Sequence, residues 1–223
     1  NKLKQNTGGF IGIAHTRWAT HGKPSERNAH PHIDCSGEIA VVHNGIIENY
    51  HELKEALQKR GHRFRSETDT EVIAHLLEEE MSVKGATPAV GQGKAKNNFE
   101  EAFARTLKKL KGAYGIVAIS SREPDIMLAA RLSSPLVLGI GRKEMFIASD
   151  VSAMVGDVKR VVYLDDGEIA VIGGDGYVVK TLSSRKRDKE EITLEWDKTT
   201  AEHNGYPHFM LKEIFEQPKS FAD

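Results

Sequence analysis

A short stretch of the sequence, GIAHTRWATHG (Gly12–Gly22), mixes polar and apolar side chains in a way that no ordinary element requires. A solvated turn would not need Trp18, and a core strand would not carry an arginine and two histidines. Arg17 offers a planar fork of N–H donors that matches a carboxylate. The stretch therefore indicates a binding or catalytic site.

Two other places in the sequence supply groups that would complete such a site. Asp69, in SETDTE, could pair with an ammonium group, and Asn44-Gly45 offers the side-chain amide and backbone N–H that an oxyanion hole needs. With Arg17, they would hold an amino acid by both charges and stabilise a tetrahedral intermediate on its side-chain carbonyl. Taken singly, each fits an ordinary role: a surface ion pair, a helix cap or a turn. The combination favours a site.

Histidines and the one cysteine are dense in the first part of the chain, and zinc accepts such ligands. Their spacing matches no common zinc pattern, because there is no paired-cysteine motif and no HExxH helix. We therefore expect no metal, and we interpret several of these histidines as bonded to backbone or bordering a polar pocket. The residues are His15, His21, His30, His32, Cys35 and His43.

Two further candidate sites are weaker. Cys35 could be a nucleophile beside a histidine, but IDCSGEIA predicts a turn leading into a strand, and nothing marks the thiol as activated. The basic run SSRKRDK (Ser183–Lys189) is followed at once by two glutamates. That pattern predicts a solvated hairpin turn and not a nucleic-acid site.

The composition is ordinary for a globular protein, with 39% hydrophobic and 28% charged residues in 223. A formal net charge of −1 provides no global field for nucleic acid or an anionic membrane. No apolar run approaches the ~20 residues that span a bilayer. A single cysteine excludes an internal disulfide framework and fits a reducing compartment. We expect a cytoplasmic protein without nucleic-acid or membrane partners.

The first half of the sequence predicts two strands and two helices. GGFIGIAH and EIAVVHNGII predict strands, with Asn44-Gly45 as a tight turn. ENYHELKEALQKRG predicts an amphipathic helix with Leu53 and Leu57 on one face and Gly61 as its stop. SETDTEVIAHLLEEEM predicts a second helix. Its candidate N-caps are Ser66, Thr68, Asp69 and Thr70.

The second half predicts one more helix and then many strands. Val83–Asn98 is rich in Gly, Ala, Pro and Lys, which predicts a surface loop. The helix that follows places Phe99, Phe103, Leu107 and Leu110 on one face. After Gly112, short apolar runs at turn-length spacing are typical of antiparallel sheets. The sequence therefore predicts an α+β domain with layered sheets.

Seven motifs carry a family resemblance. In order, they are HTRWATHG, NAHPH, VVHNGIIENY, SETDTEVI, LKGAYG, FIASD and LKEIFEQP. They closely resemble the glutaminase (N-terminal) domain of the glutamine–fructose-6-phosphate aminotransferase (isomerizing) family, also called glucosamine-6-phosphate synthases, which are class II glutamine amidotransferases. The resemblance runs from about Gly8 to the end of the chain. The Arg-Trp pair and KEIFEQP favour this family over its relatives.

The resemblance implies an α+β fold of the N-terminal-nucleophile (Ntn) hydrolase class: a four-layer αββα sandwich of two antiparallel sheets between helices. It implies that an N-terminal cysteine hydrolyses L-glutamine to glutamate and ammonia, with its own α-amino group as base. The ammonia passes to a sugar isomerase domain of the same intact polypeptide, where fructose 6-phosphate becomes D-glucosamine 6-phosphate for amino-sugar biosynthesis. We expect no cofactor, and a homodimer of the intact enzyme.

The resemblance also implies residue roles by motif match. Arg17 would bind the glutamine α-carboxylate, with Thr20 and His21 close by. Trp18 would belong to a loop that closes over glutamine. Asp69 would bind the substrate ammonium group. Asn44 and Gly45 would form the oxyanion hole.

The sequence departs from the family pattern at its ends. It begins at Asn1 instead of the nucleophilic cysteine, and Cys35 falls in a variable turn of the pattern. We expect residues 1–212 to be a glutaminase domain that is truncated at its N-terminus and lacks the leading strands. Such a domain would be inactive alone. Residues 213–223 would begin a linker toward the absent isomerase domain. Two alternatives are a non-catalytic amino-acid-binding module and the glutaminase domain of another class II amidotransferase.

Overall fold

The computed structural model describes residues 10–17, 21–82, 98–194 and 206–220. They divide into two units, and each is built around one antiparallel sheet. The first unit draws on Asn1–Leu136 and Tyr163–Lys189, and the second on Val137–Val162 and Glu190–Asp223.

Within the described residues, the sheet of the first unit has seven strands. They are β1 (His32–Ile33), β2 (Ile39–Ile47), β3 (Gly112–Ser120), β4 (Ile126–Leu132), β8 (Glu168–Gly173), β9 (Gly176–Thr181) and β10 (Lys186–Arg187). The order across the sheet is β1-β2-β3-β4-β8-β9-β10. The β2–β3 pair runs without a break from Ile39 opposite Ser120 to Ile47 opposite Gly112. This strand pair carries Asn44 and Gly45 and fixes their positions.

Three helices of the first unit bury their apolar faces in one core: α1 (Tyr50–Lys59), α2 (Glu71–Ser82) and α3 (Asn98–Leu107). α2 packs against α1, α3, β1 and β2. The predicted α1 is confirmed, since Leu57 is fully buried and Leu53 packs beside it. The predicted apolar face of α3 is also confirmed, although Leu110 lies beyond the end of the helix. The buried residues of that face are Phe99, Phe103, Leu107 and Leu110.

The second unit holds the remaining described strands and the last helix. Its strands are β5 (Val137–Ile140), β6 (Met145–Ala148), β7 (Arg160–Tyr163) and β11 (Ile192–Thr193), in the order β11-β7-β5-β6, and α4 spans Phe209–Ser220. A small core of valines and Met154 holds the unit together. Two antiparallel sheets with helices confirm the predicted α+β class. No described helix is long and apolar enough to cross a membrane.

Three local predictions are wrong. Asn44-Gly45 is not a turn but lies inside β2, opposite Gly115 and Tyr114 of β3. Phe10–Arg17 is not a strand: its exposure alternates as in a strand, but it pairs with no described strand, and Phe10 is fully exposed. The basic run Ser183–Lys189 is only partly a turn, because Lys186 and Arg187 form the edge strand β10 against β9. The predicted loop at Val83–Asn98 lies outside the described residues except for its last position, which begins α3.

β2 continues through Asn44-Gly45 instead of turning there, and this depends on one close approach between β2 and β3. Gly45 has φ +120°, and a Cβ at this position would overlap the backbone oxygen of Ala113 in β3. A glycine therefore lets β2 and β3 stay paired at this point, where any side chain would push them apart.

We predict that Gly45→Ala destabilises the protein far more than Gly176→Ala. Gly176 has nearly the same φ, +123°, but nothing lies within 4 Å of a Cβ there. Gly176→Ala should cost about 1–2 kcal/mol for its backbone conformation alone, and Gly45→Ala at least about 3 kcal/mol because the clash adds to it. Denaturant unfolding of both variants measures the difference. Equal losses would show that β3 yields at Ala113 and that the close approach imposes no constraint.

Candidate active site

A cleft of about 410 Å³ in the first unit brings four of the predicted site residues together. Its walls come from residues 15–17, 43–46 and 68–70, with His30 between them. Arg17, Asn44, Gly45 and Asp69, which lie up to 52 positions apart in the sequence, all line it. The volume is in the range of small-molecule sites, roughly 300–1,000 Å³.

Arg17 is held by backbone carbonyl groups of the same polar stretch. Its Nη2 donates to the carbonyl oxygens of His21 and of Gly22, the latter at 2.9 Å, and its Nη1 lies 3.5 Å from the carbonyl oxygen of Lys23. A guanidinium has five N–H donors, so donors remain for a ligand. The predicted Trp18 and Thr20 lie outside the described residues.

Asp69 is a buried carboxylate, with 3% of its surface exposed. Its Oδ2 accepts the backbone N–H of Ile47 at 2.8 Å, at the end of β2. Its Oδ1 forms no hydrogen bond with any described residue and lies 3.9 Å from Nδ1 of His21. That nitrogen is buried and also lacks a described partner. One carboxylate oxygen is thus anchored and the other is available to a cation.

Asn44 is the end of a chain of hydrogen bonds through three histidines. His15 Nε2 lies 2.7 Å from Asn44 Oδ1, and His15 Nδ1 lies 2.9 Å from His30 Nδ1. His30 Nε2 and His43 Nδ1 each lie 3.0 Å from the Thr70 hydroxyl. The prediction that several of these histidines border a polar pocket is confirmed for His15, His30 and His43.

One proton on each ring gives a consistent direction to this chain. His15 Nε2 donates to the Asn44 carbonyl, so its Nδ1 accepts from His30. The other nitrogen of His30 then accepts the Thr70 hydroxyl proton, and the Thr70 oxygen accepts from His43 Nδ1. In this arrangement His43 Nε2 carries no proton, so its 3.5 Å approach to the carbonyl oxygen of Ala113 is a contact and not a hydrogen bond. Asn44 Nδ2 is left with no described hydrogen-bond partner. The chain therefore presents the amide N–H donors of Asn44, and not its oxygen, to a ligand in the cleft.

Burial keeps three histidines of this region neutral: His30, His32 and His43. It is the main cause that lowers the pKa of His30 to about 3, and the neighbouring His15, His32 and His43 lower it further. Burial likewise lowers the pKa of His32 to about 4, although Glu71 and Asp69 oppose the shift. The pKa of His43 is also lowered, again chiefly by burial. These rings act at neutral pH as hydrogen-bonding groups and not as cations.

One expectation about neighbouring residues is wrong, that for the N-caps of α2, and the one for Cys35 is confirmed. None of the four candidate N-caps of α2 is seen to cap it: Asp69 bonds to β2, Thr70 to two histidines, and Ser66 and Thr68 to each other. Cys35 does lie in a turn, between β1 and β2, but it is not among the residues of the cleft. Burial raises the pKa of its thiol, which opposes a nucleophilic role.

Sequence reasoning missed two features. Thr70 links two histidines and was considered only as a cap. His62, His75 and Glu78 surround Cys35 and were not singled out at all. Each lies 27 or more positions from Cys35, so only the fold reveals the group.

We predict that the neutral histidines make stability fall as the pH drops below about 6.5. An unfolded histidine takes up a proton near that pH, whereas folded His32 does so only near pH 4. Between the two values the unfolded state binds the extra proton, so each such ring lowers the unfolding free energy by up to about 1.4 kcal/mol per pH unit. The Nε2 atom of His32 lies 3.0 Å from the Thr68 hydroxyl oxygen. His32→Gln, which keeps a polar group toward Thr68, should reduce the slope of unfolding free energy against pH.

His51→Gln, at an exposed position of α1, is the matched control and should leave the slope unchanged. Denaturant titrations at a series of pH values measure it. A slope that is the same in His32→Gln and in the parent protein would contradict the assignment.

Comparison with known proteins agrees with this geometry. Residues 15–156 match the glutamine amidotransferase domain family. Glutamine–fructose-6-phosphate aminotransferases (isomerizing) from Pyrococcus horikoshii and Methanothermobacter thermautotrophicus are 50% and 53% identical, each over 96% of this chain and 34% of the relative. The enzyme of Thermotoga maritima is 48% identical over 100% of this chain and 34% of its own. The chain thus spans about a third of the length of these relatives.

Solved structures give the fold independently. Glutamine phosphoribosylpyrophosphate amidotransferase from B. subtilis, in complex with ADP and GMP, aligns with a TM-score of 0.57 and 26% identity, over 77% of this chain and 35% of its own. An allosteric regulatory enzyme of purine biosynthesis gives the same TM-score and identity over 75% and 34%. The expected N-terminal-nucleophile fold class is confirmed. The match of family and fold shows that the chain belongs to the class II glutamine amidotransferase domain family.

Proposed function

We propose that the cleft binds L-glutamine and promotes release of ammonia from its side-chain amide. The observation that carries the proposal is the placement of Arg17, Asp69 and Asn44-Gly45 around one cleft. Arg17 is the cation and Asp69 the acid of its lining, which suits the two charges of an α-amino acid. The amide N–H donors of Asn44 suit the oxygen of the amide that is cleaved.

Binding uses the groups that the fold leaves available. The α-carboxylate of glutamine takes the remaining guanidinium donors of Arg17, while those already bonded to residues 21–23 keep the side chain in place. The α-ammonium group takes Asp69 Oδ1. Trp18, Thr20 and His21 complete this end of the site, with Trp18 on a loop that closes over the substrate. These roles follow the family pattern, and for Arg17, His21 and Asp69 the described positions support them.

The amide end of glutamine is where the chemistry occurs. When a nucleophile attacks the amide carbon, negative charge develops on its oxygen. The Asn44 side-chain N–H and the Gly45 backbone N–H stabilise this oxyanion. The histidine chain contributes by holding the Asn44 amide in the orientation that directs N–H groups to the cleft. His15 is therefore a positioning residue and not a catalytic one.

The nucleophile is the N-terminal cysteine that the family pattern implies. The printed sequence has one cysteine, Cys35, which is not part of the described cleft. In the proposal, a cysteine from outside the printed sequence attacks the amide carbon, and its α-amino group accepts the thiol proton. That proton goes to the leaving nitrogen, which departs as ammonia, and water then cleaves the thioester to release glutamate.

The acceptor of the ammonia belongs to the whole protein. The relatives that are about half identical to this chain are named glutamine–fructose-6-phosphate aminotransferases, and they are about three times as long. We propose the same activity here: residues 1–212 form the glutaminase domain, and residues 213–223 lead to a sugar isomerase domain that forms D-glucosamine 6-phosphate. A cytoplasmic homodimer is part of the same proposal.

We predict that Arg17→Ala in the full-length protein raises the KM for glutamine by about 10²-fold or more, because a charge-assisted contact worth about 1.5–3 kcal/mol per hydrogen bond is lost. Ammonia release measures it. Arg27→Ala is the matched control, since Arg27 lies outside the lining of the cleft and forms an exposed ion pair with Glu67. Its KM should not change. An Arg17→Ala enzyme with the parent KM would overturn the assignment of the carboxylate site.

We predict that Asn44→Ala lowers kcat by about 10²–10³-fold with little change in KM, as expected for a donor used mainly in the transition state. His15→Gln keeps an N–H donor toward Asn44 Oδ1 and should retain most of the kcat that His15→Ala loses. A merely structural role of His15 would instead make the two variants equally impaired. Binding of glutamine with no ammonia release by the full-length parent would indicate a non-catalytic binding module.

A further inference from the structure

A second group of reactive side chains lies outside the cleft, in the first unit. Cys35 is in the turn between β1 and β2, His62 follows the end of α1, and His75 and Glu78 are one turn apart on α2. Each directs one potential ligand atom to a common point, and these four atoms lie within 4.8 Å of one another. The group combines one sulfur, two imidazole nitrogens and one carboxylate oxygen.

Five of the six separations among these atoms lie near those of a tetrahedral metal site. Cys35 Sγ lies 3.7 Å from His62 Nδ1 and 3.5 Å from His75 Nδ1, and the two Nδ1 atoms are 3.3 Å apart. Glu78 Oε2 lies 3.0 Å from His62 Nδ1 and 3.5 Å from His75 Nδ1. A zinc ion with bonds of about 2.0–2.3 Å sets its ligand atoms roughly 3.3–3.6 Å apart.

The surroundings of the four atoms suit a metal as well. With Nδ1 on the metal, each ring carries its proton on Nε2, and each Nε2 lies near a carboxylate. His62 Nε2 is 3.4 Å from Glu79 Oε1, and His75 Nε2 is 3.6 Å from Glu71 Oε1. Carboxylates beyond the ligating histidines are a usual feature of zinc sites. The backbone N–H of Arg63 donates to Cys35 Sγ at 3.4 Å, as to a metal-bound thiolate.

The group runs from the surface into the core: Cys35 is exposed, His62 and Glu78 are half-buried, and His75 is buried. His75 is 1% exposed, and its Nε2 has no hydrogen-bond partner within the part of the chain that the structure describes. Two Nδ1 atoms, a sulfur and a carboxylate oxygen face one another there, and each is an electron-pair donor unless it holds a proton. A divalent cation at the common point satisfies all four at once.

We propose that one zinc ion binds to four side chains of the first unit: Cys35, His62, His75 and Glu78. The donor set leaves no open position, which makes the site structural and not catalytic. Binding releases the thiol proton to solvent and requires no oxidant or reductant. The ion cross-links the β1–β2 turn, the end of α1 and the middle of α2. It thereby holds α2, which directly follows the cleft residues Thr68, Asp69 and Thr70.

Cobalt substitution in the full-length protein tests the proposal. Chelator-treated protein should take up one equivalent of Co²⁺ at this site, with intense visible bands of tetrahedral cobalt and a thiolate-to-metal charge-transfer band that Zn²⁺ abolishes by displacement. Cys35→Ser should remove the charge-transfer band. It should also weaken Zn²⁺ binding by at least the roughly 10–100-fold that loss of a supporting carboxylate costs.

Matched variants separate the site from general effects. His51→Ala removes an exposed histidine of α1 that is outside the group and should keep the full cobalt spectrum. Zn²⁺ should raise the Tm of the parent and of His51→Ala, but not that of Cys35→Ser. A parent protein whose cobalt spectrum lacks the thiolate band would overturn the proposal, and so would a Cys35→Ser protein that retains the band. In either case the four side chains are held together by hydrogen bonds and not by a metal ion.

Discussion

The hydrogen bond from the Ile47 backbone N–H to Asp69 Oδ2, 2.8 Å long, joins the two halves of the cleft. Asp69 is almost fully buried, and a buried carboxylate without a donor is costly. The bond therefore ties the segment before α2 to the end of β2. Because Asn44 and Gly45 lie three and two residues before Ile47 on the same strand, the spacing between the acid and the oxyanion donors is set by the backbone. Substrate positioning benefits most from such rigid spacing.

Different residues of the cleft supply its charges and its chain of hydrogen bonds. Arg17 and Asp69 carry the groups that match an amino acid, while His30 and His43 contribute no positive charge, since burial lowers the pKa of His30 to about 3 and that of His43 as well. A protonated His30 would carry a proton on both ring nitrogens and could no longer accept the hydroxyl proton of Thr70. Neutral rings therefore keep the orientation of the Asn44 amide independent of the substrate's charges.

What the sequence predicted depended on whether the signal was local. Helical periodicity in α1 and α3 identified buried faces correctly, and residue chemistry alone selected Arg17 and Asp69 as site candidates. Asn44-Gly45 was misjudged because its intrinsic turn preference is overridden by nine paired positions between β2 and β3. The histidine chain could not be predicted, since its direction depends on rotamers and on Thr70, which lies 40 positions from His30. Cys35 and its neighbours escaped notice for the same reason.

Besides its apolar face, α2 has a second buried stripe, which is polar and which its sequence does not predict. Val72, Ile73, Leu76 and Leu77 fill the core, as periodicity predicts, yet Glu71 and His75 on the polar side are also 2% and 1% exposed. Burial opposes ionisation of Glu71, but the nearby His75 ring and the hydrogen bonds from Ser66 and the Arg65 backbone outweigh it and lower its pKa to about 2. The Nδ1 atom of His75 faces only the side chains of the group around Cys35, among the described residues. Buried polar side chains of this kind are stable only when each has a partner. Glu71 has its hydrogen bonds, and the zinc ion would supply the partner of His75. The acid of the cleft and the ligands of the metal would then depend on the placement of one helix.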